Sequence, residues 1–151
     1  MSNRPNGLRL FTAENLFRLS VEGFRQMQRR EYARADDSLA RASALNPADP
    51  VTRYRRALLL KARGRDADAL AEFERVVATR PVPPPSVLAA SYVEAGRLLE
   101  ASGHRVRAIE MYSLASGVRG AETAAREAAR QGLDRLRGAP PPRTNTTIAP
   151  R

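Results

Sequence analysis

A chain that performs covalent or redox chemistry has to gather nucleophiles, acids, bases or metal ligands, and this sequence offers almost none. His104 is its only histidine, set between Gly103 and Arg105 where a turn is expected. No hydrolase-like motif brings it a Ser or a carboxylate. The absence of cysteine rules out disulfides and thiolate metal sites. No stretch has the Gly-rich, Lys-Ser/Thr spacing of a phosphate loop, and no His, Cys or paired-carboxylate cluster has metal-ligand spacing. The reading is therefore of a non-enzyme with no catalytic residue, metal, cofactor or small-molecule substrate. Two short motifs remain. Asn145-Thr146-Thr147 has the form of a glycosylation acceptor, which matters only in a secreted eukaryotic protein. Pro140-Pro141-Pro142 before Arg143 could serve a proline-binding domain, but reads more simply as part of a disordered end.

Charge is the next place to look for function. The formal net charge is +10, and every basic residue except Lys61 is an arginine. Such a balance suits an acidic protein partner, a nucleic acid or an anionic surface. Arginines are interleaved with acids, however, as in Arg34, Asp36, Asp37 and Arg41, so no uninterrupted cationic stripe forms. A solvated surface is the simpler reading, and nucleic-acid binding ranks below protein binding. The longest strongly apolar run, Ala57 to Leu60, ends at Lys61, far short of the roughly 20 residues of a membrane span. Met1 to Phe11 lacks the apolar core of a secretory signal. A cytoplasmic location is the default expectation for the chain as given.

What must position any binding residues is an internal repeat. Gly23, Ala35, Leu39, Ala42 and Pro47 recur 34 residues later as Ala57, Ala69, Phe73, Val76 and Pro81. Apart from the proline, they recur again 39 residues on as Gly96, Ala108, Tyr112 and Ala115. Spacing inside each unit is constant, so the longer second offset is an insertion in an inter-repeat loop, carried by Pro81-Val82-Pro83-Pro84-Pro85 and expected to be a stiff strut. Aromatics make up only 5% of the chain, with no Trp, which favours closely packed helices over a β-sandwich.

The pattern predicts helical hairpins at about 12–29 with 32–45, 50–63 with 66–79, and 86–102 with 105–118, followed by a last helix over 120–137. Thr12, Asp49 and Ser86 are the expected N-caps, with Pro50 at a first helical position and Gly64 and Gly103 at turns. The last helix alternates an apolar face with a charged one and suits a terminal cap. Residues 1–11 read as an N-terminal extension, 12–137 as the repeat domain and 138–151 as a disordered Pro-rich tail.

At these positions the chain resembles the tetratricopeptide repeat (TPR) family, over about residues 12–118. Small residues at Gly23, Ala57, Gly96, Ala35, Ala69 and Ala108 would let paired helices approach, and Leu39, Phe73 and Tyr112 would fill the gaps. The resemblance implies an all-α, right-handed solenoid of about three hairpins plus a C-terminal capping helix. Glu22, Gln26, Arg53 and Arg56 depart from the family's usual large apolar residues, and Glu22 and Arg56 either pair across units or both face solvent.

The resemblance also implies a concave groove, lined by the first helices of the hairpins, that holds a segment of a partner protein or peptide. Its residues would be Phe17, Val21, Phe24 and Met27, then Val51, Tyr54, Arg55, Leu58 and Lys61, then Glu94 and Arg97. Ser20, Gln28, Ala90, Val93 and Glu100 would face the groove as well. Either Phe17, Val21, Phe24 and Met27 are free for a partner, or Leu8, Leu10 and Phe11 cover them, or they belong to the core. A partner with acidic groups would suit Arg55 and Lys61. The expected function is a non-catalytic interaction scaffold or adaptor; the alternatives are a self-associating subunit of a homo-oligomer or larger assembly and, last, an Arg-rich nucleic-acid binder. Partner and pathway are not legible.

Overall fold

The computed structural model describes residues 5–138, and side chains from residue 7 onward. Within them the chain forms seven helices: α1 (Pro5–Gln28), α2 (Tyr32–Leu45), α3 (Pro50–Ala62), α4 (Asp66–Ala78), α5 (Pro85–Ala101), α6 (Arg105–Gly117) and α7 (Thr123–Arg137). No strand occurs among the described residues. None of these helices is long and apolar enough to cross a membrane. The tail beyond Gly138, with its prolines and its Asn-Thr-Thr motif, lies outside the described residues.

Helices α1 and α2, α3 and α4, and α5 and α6 pack as hairpins, and α7 packs on both α5 and α6. Successive first helices pack closely, α1 with α3, α3 with α5 and α5 with α7, whereas the backbones of α2, α4 and α6 stay apart, α4 and α6 being bridged by the Glu74–Arg107 ion pair. A stack that meets along one row of helices and parts along the other must curve toward the first. The concave face is therefore built by α1, α3, α5 and α7.

Local chemistry explains several boundaries. The Asp49 carboxylate accepts a 2.7 Å hydrogen bond from the Thr52 N–H at the start of α3, where Pro50 fills a position that needs no donor. The hairpin turns close at Gly64 and Gly103, both with positive φ. Arg30 stands at the equivalent position of the first hairpin and also has positive φ, 63°, a conformation a residue with a Cβ adopts only against steric cost.

Three starts differ from expectation. Helix α1 begins at Pro5 rather than near residue 12, so Thr12 is interior and its hydroxyl donates to the Leu8 carbonyl instead of capping. Residues 5–11 thus continue the first repeat helix. Helix α5 begins at Pro85 with Pro84 in the cap position, displacing Ser86 into the first turn. Helix α7 begins at Thr123, three residues later than expected, after a turn at Gly120. Of the two readings of Glu22 and Arg56, the structure has the solvent-facing one: both are exposed, Gln26 donates to Glu22, and Arg56 donates to Ser43.

The core is a row of three clusters, one per hairpin, as a solenoid requires. Ala35 and Leu39 meet Leu59; Ala57, Ala69 and Phe73 meet Ala95 and Leu98; Val93, Leu99, Ala108, Tyr112 and Ala115 meet Ala129. Ala35, Ala69 and Ala108 are wholly buried. Tyr112 is clamped on two sides. A Cβ on Gly96 of α5 would lie 2.8 Å from its ring, and one on Gly132 of α7 would press the opposite edge at under 3.0 Å. Its hydroxyl donates to Glu100, which Arg135 of α7 grips with two 3.0 Å hydrogen bonds. The capping helix is thus joined to the last hairpin by a ring in a slot and an ion pair above it.

Candidate functional site

Helical spacing sets Phe17, Val21 and Phe24 along one side of α1, and the hairpin stack brings that side beside Arg55 of α3. Ser20, almost wholly buried on α1, accepts hydrogen bonds from Thr52 Oγ1 at 3.1 Å and from Arg55 Nη1 at 2.7 Å. The Arg55 guanidinium lies over the Phe24 ring, 5.5 Å from its centre. Partial burial holds Arg55 below its usual pKa, with the charge of Asp49 and then Tyr54 opposing the shift. It stays a cation, with its planar group fixed by stacking and a hydroxyl. No carboxylate lies within ion-pair distance of it among the described residues.

Toward the other end of the face the charges are already matched. Glu94 of α5, nearly buried, receives Lys61 of α3 on one oxygen and Arg97 on the other, the latter at 2.6 Å. Tyr54 sits near this group, its pKa raised by burial and then by the negative charge of Glu94. Between α5 and α7 the face opens into a hollow of about 240 Å³ bounded by Ala90, Glu94, Arg97, Glu122, Ala124 and Ala128. Small side chains on two facing helices leave this space.

The anticipated residues divide accordingly. Phe17 is 66% exposed, and Val21, Phe24, Val51 and Arg55 are half-buried. Met27 packs against Ala35, Leu39 and Leu59, and Tyr54 and Leu58 pack against the Ala57–Phe73 cluster, with the Tyr54 and Phe73 rings 5.8 Å apart. These three contribute to the core as well as to the face. Lys61, Glu94 and Arg97 come together as one ion-paired group. Leu8, Leu10 and Phe11 do not cover Phe17, because they belong to the same straight-running helix and are themselves exposed.

Sequence reasoning placed Ser20 at the groove but missed its partner Thr52, although small hydroxyls inside an otherwise apolar spacing mark a polar contact between helices. The α7 alanines were read as a cap's packing face, and their second role as a wall of the hollow follows only from the contact of α7 with α5.

Solved structures share this architecture. The Sgt2 TPR domain from Aspergillus fumigatus matches at a TM-score of 0.63 and 24% identity, over 89% of this chain and 90% of that one. The first TPR domain of human RPAP3 matches at 0.64 and 18% identity, over 83% and 97%. The fold is that of a tetratricopeptide-repeat domain. The Yersinia enterocolitica type III secretion chaperone SycD, solved with a peptide of the translocator YopD, matches at 0.69 and 16% identity, over 82% of this chain and 93% of that one. No family model matches the sequence, and no curated protein matches it.

Some TPR domains clamp a C-terminal carboxylate with Lys and Asn side chains, and the corresponding places here hold Ser20, Phe24, Val51, Arg55, Ala90 and Glu94. That set has one cation, no Asn and an acid, so it lacks the Lys and Asn pattern of the clamp.

Proposed function

We propose that this TPR domain is a non-catalytic interaction module that holds a segment of a partner protein on its concave face. The observation that carries the reading is the Phe24–Arg55 site: an aromatic ring and a pre-ordered guanidinium, partly withdrawn from water and lacking a carboxylate of their own. Desolvating a cation without an opposite charge is costly, and an incoming acidic group would offset that cost. The peptide held by SycD, a protein of the same fold, supports the same use of the architecture.

The partner segment would place an apolar side chain against Val21 and Phe24 and an acidic group on Arg55. Lys61 is a poorer anchor than its charge suggested, because Glu94 already occupies it. A partner recovered from the native host by affinity capture, then measured by calorimetry, tests this. Phe24→Ala should cost roughly 2 kcal/mol of affinity, as buried aromatic anchors do, with circular dichroism confirming the fold. Arg55→Glu should weaken binding most at low salt. Unchanged affinity in folded Phe24→Ala would move the site off the concave face.

A further inference from the structure

Five of the eight large apolar residues that stand exposed among the described ones lie at one end of the molecule. They are Leu8, Leu10, Phe11 and Phe17 on α1, 63–70% exposed, and Leu45 at the end of α2, 40% exposed. Proteins that remain single rarely leave such a group open to water. Its origin is the length of α1, which has 24 residues against 14 in its hairpin partner, so the first turns of α1 run past the end of α2. There α1 faces the α2–α3 loop across an open hollow of about 470 Å³.

Over residues 8–18 of α1, at 3.6 residues per turn, Phe17, Leu10, Glu14, Arg18 and Phe11 follow one another across one side, and all five are exposed. Glu14 and Arg18 are one turn apart. Neither has an ion-pair partner among the described residues, and Arg18 donates only to Asn15.

We propose that this side of α1 pairs with the same side of a second copy, in an antiparallel two-fold arrangement that sets Glu14 of each copy against Arg18 of the other and covers Leu10, Phe11 and Phe17. The charge pattern is what selects a second copy over a different protein. Two-fold symmetry reverses the order of the acid and the base, so one face carrying both becomes complementary to itself and gains two ion pairs at once. A net charge of +10 opposes association of this chain with itself, so a dimer needs a locally neutral surface. Over residues 8–18 this side of α1 has one acid and one base.

Light scattering on the full chain, eluted from a sizing column over a wide concentration range, tests the proposal. The expected result is a species of twice the 16.6 kDa chain mass that dissociates on dilution. The double variant Leu10→Arg with Phe11→Ser should be monomeric with an unchanged circular dichroism spectrum, since both side chains are exposed. Glu14→Arg and Arg18→Glu should each weaken the dimer roughly tenfold or more, because each turns two attractive pairs into two repulsive ones. Mixing those two variants should restore it, as each supplies the charge the other lost. A parent that is monomeric at every concentration overturns the proposal, as does a dimer indifferent to the Leu10/Phe11 change or a mixture that does not recover.

Discussion

Tyr112 fills a slot that exists because Gly96 and Gly132 have no side chains. In an exposed helix interior, Gly→Ala is stabilising by about 1 kcal/mol, since it restricts the unfolded chain and favours the helix. Here the sign should reverse. The ring cannot retreat from a Cβ on Gly132, because Gly96 backs it and Glu100 holds its hydroxyl. Gly132→Ala should therefore cost roughly 1–3 kcal/mol through overpacking, measured by thermal or urea denaturation. A gain in stability would show that α7 is free to shift. The small-residue requirement at Gly96 was legible from the repeat, where Gly23 and Ala57 hold the same place. That at Gly132 was not, because α7 has no counterpart in the repeat to be aligned with.

Among the elements, α7 has the charged outer face and apolar inner face of a terminal cap, with Arg130 bonded to Glu127 and Asp134 on the outside and Ala129 and Gly132 buried inside. A chain ending at Arg119 would bare Tyr112 and release Glu100 from Arg135. It should lose cooperativity and melt well below the parent, as solenoids deprived of a cap do; an unchanged melt would make α7 a passive appendage. Helix identities were legible in the sequence because apolar spacing survives across the repeats. Starts were legible at α3, where Asp49 and Pro50 mark the cap, and at α2, α4 and α6, where the tight hairpin turn before each helix fixes it. For α1, Thr12 resembled a cap, yet the helix already runs through residues 5–11, so Thr12 lies inside it.

At the scale of the whole molecule, the expected groove residues came from the family resemblance, and the electrostatics of the concave face were not legible. Lys61 and Glu94 are 33 residues apart and meet only because α3 and α5 stack, so their mutual neutralisation could not be inferred from spacing. The response of stability to alkali also belongs to the folded molecule. Burial, followed by the Glu100 hydrogen bond, raises the Tyr112 pKa above its ordinary 10.0, and burial raises that of Tyr54. These phenols stay protonated in the native state while the unfolded chain ionises them, so unfolding above that pH releases protons. Stability should be insensitive to their titration below about pH 10 and fall above it. In Tyr112→Phe the fall should be shallower, which urea denaturation across that pH range would register; an identical slope would mean that the tyrosine titrates freely in the native protein.

The clamped ring also serves as a clock. A phenol ring packed between the Gly96 and Gly132 backbones should rotate by half a turn about its own axis only when α5 and α7 move apart. Each half-turn of Tyr112 must then coincide with a brief parting of the capping helix from the last hairpin. The rate at which its two ring edges exchange is the rate at which the end of the solenoid breathes.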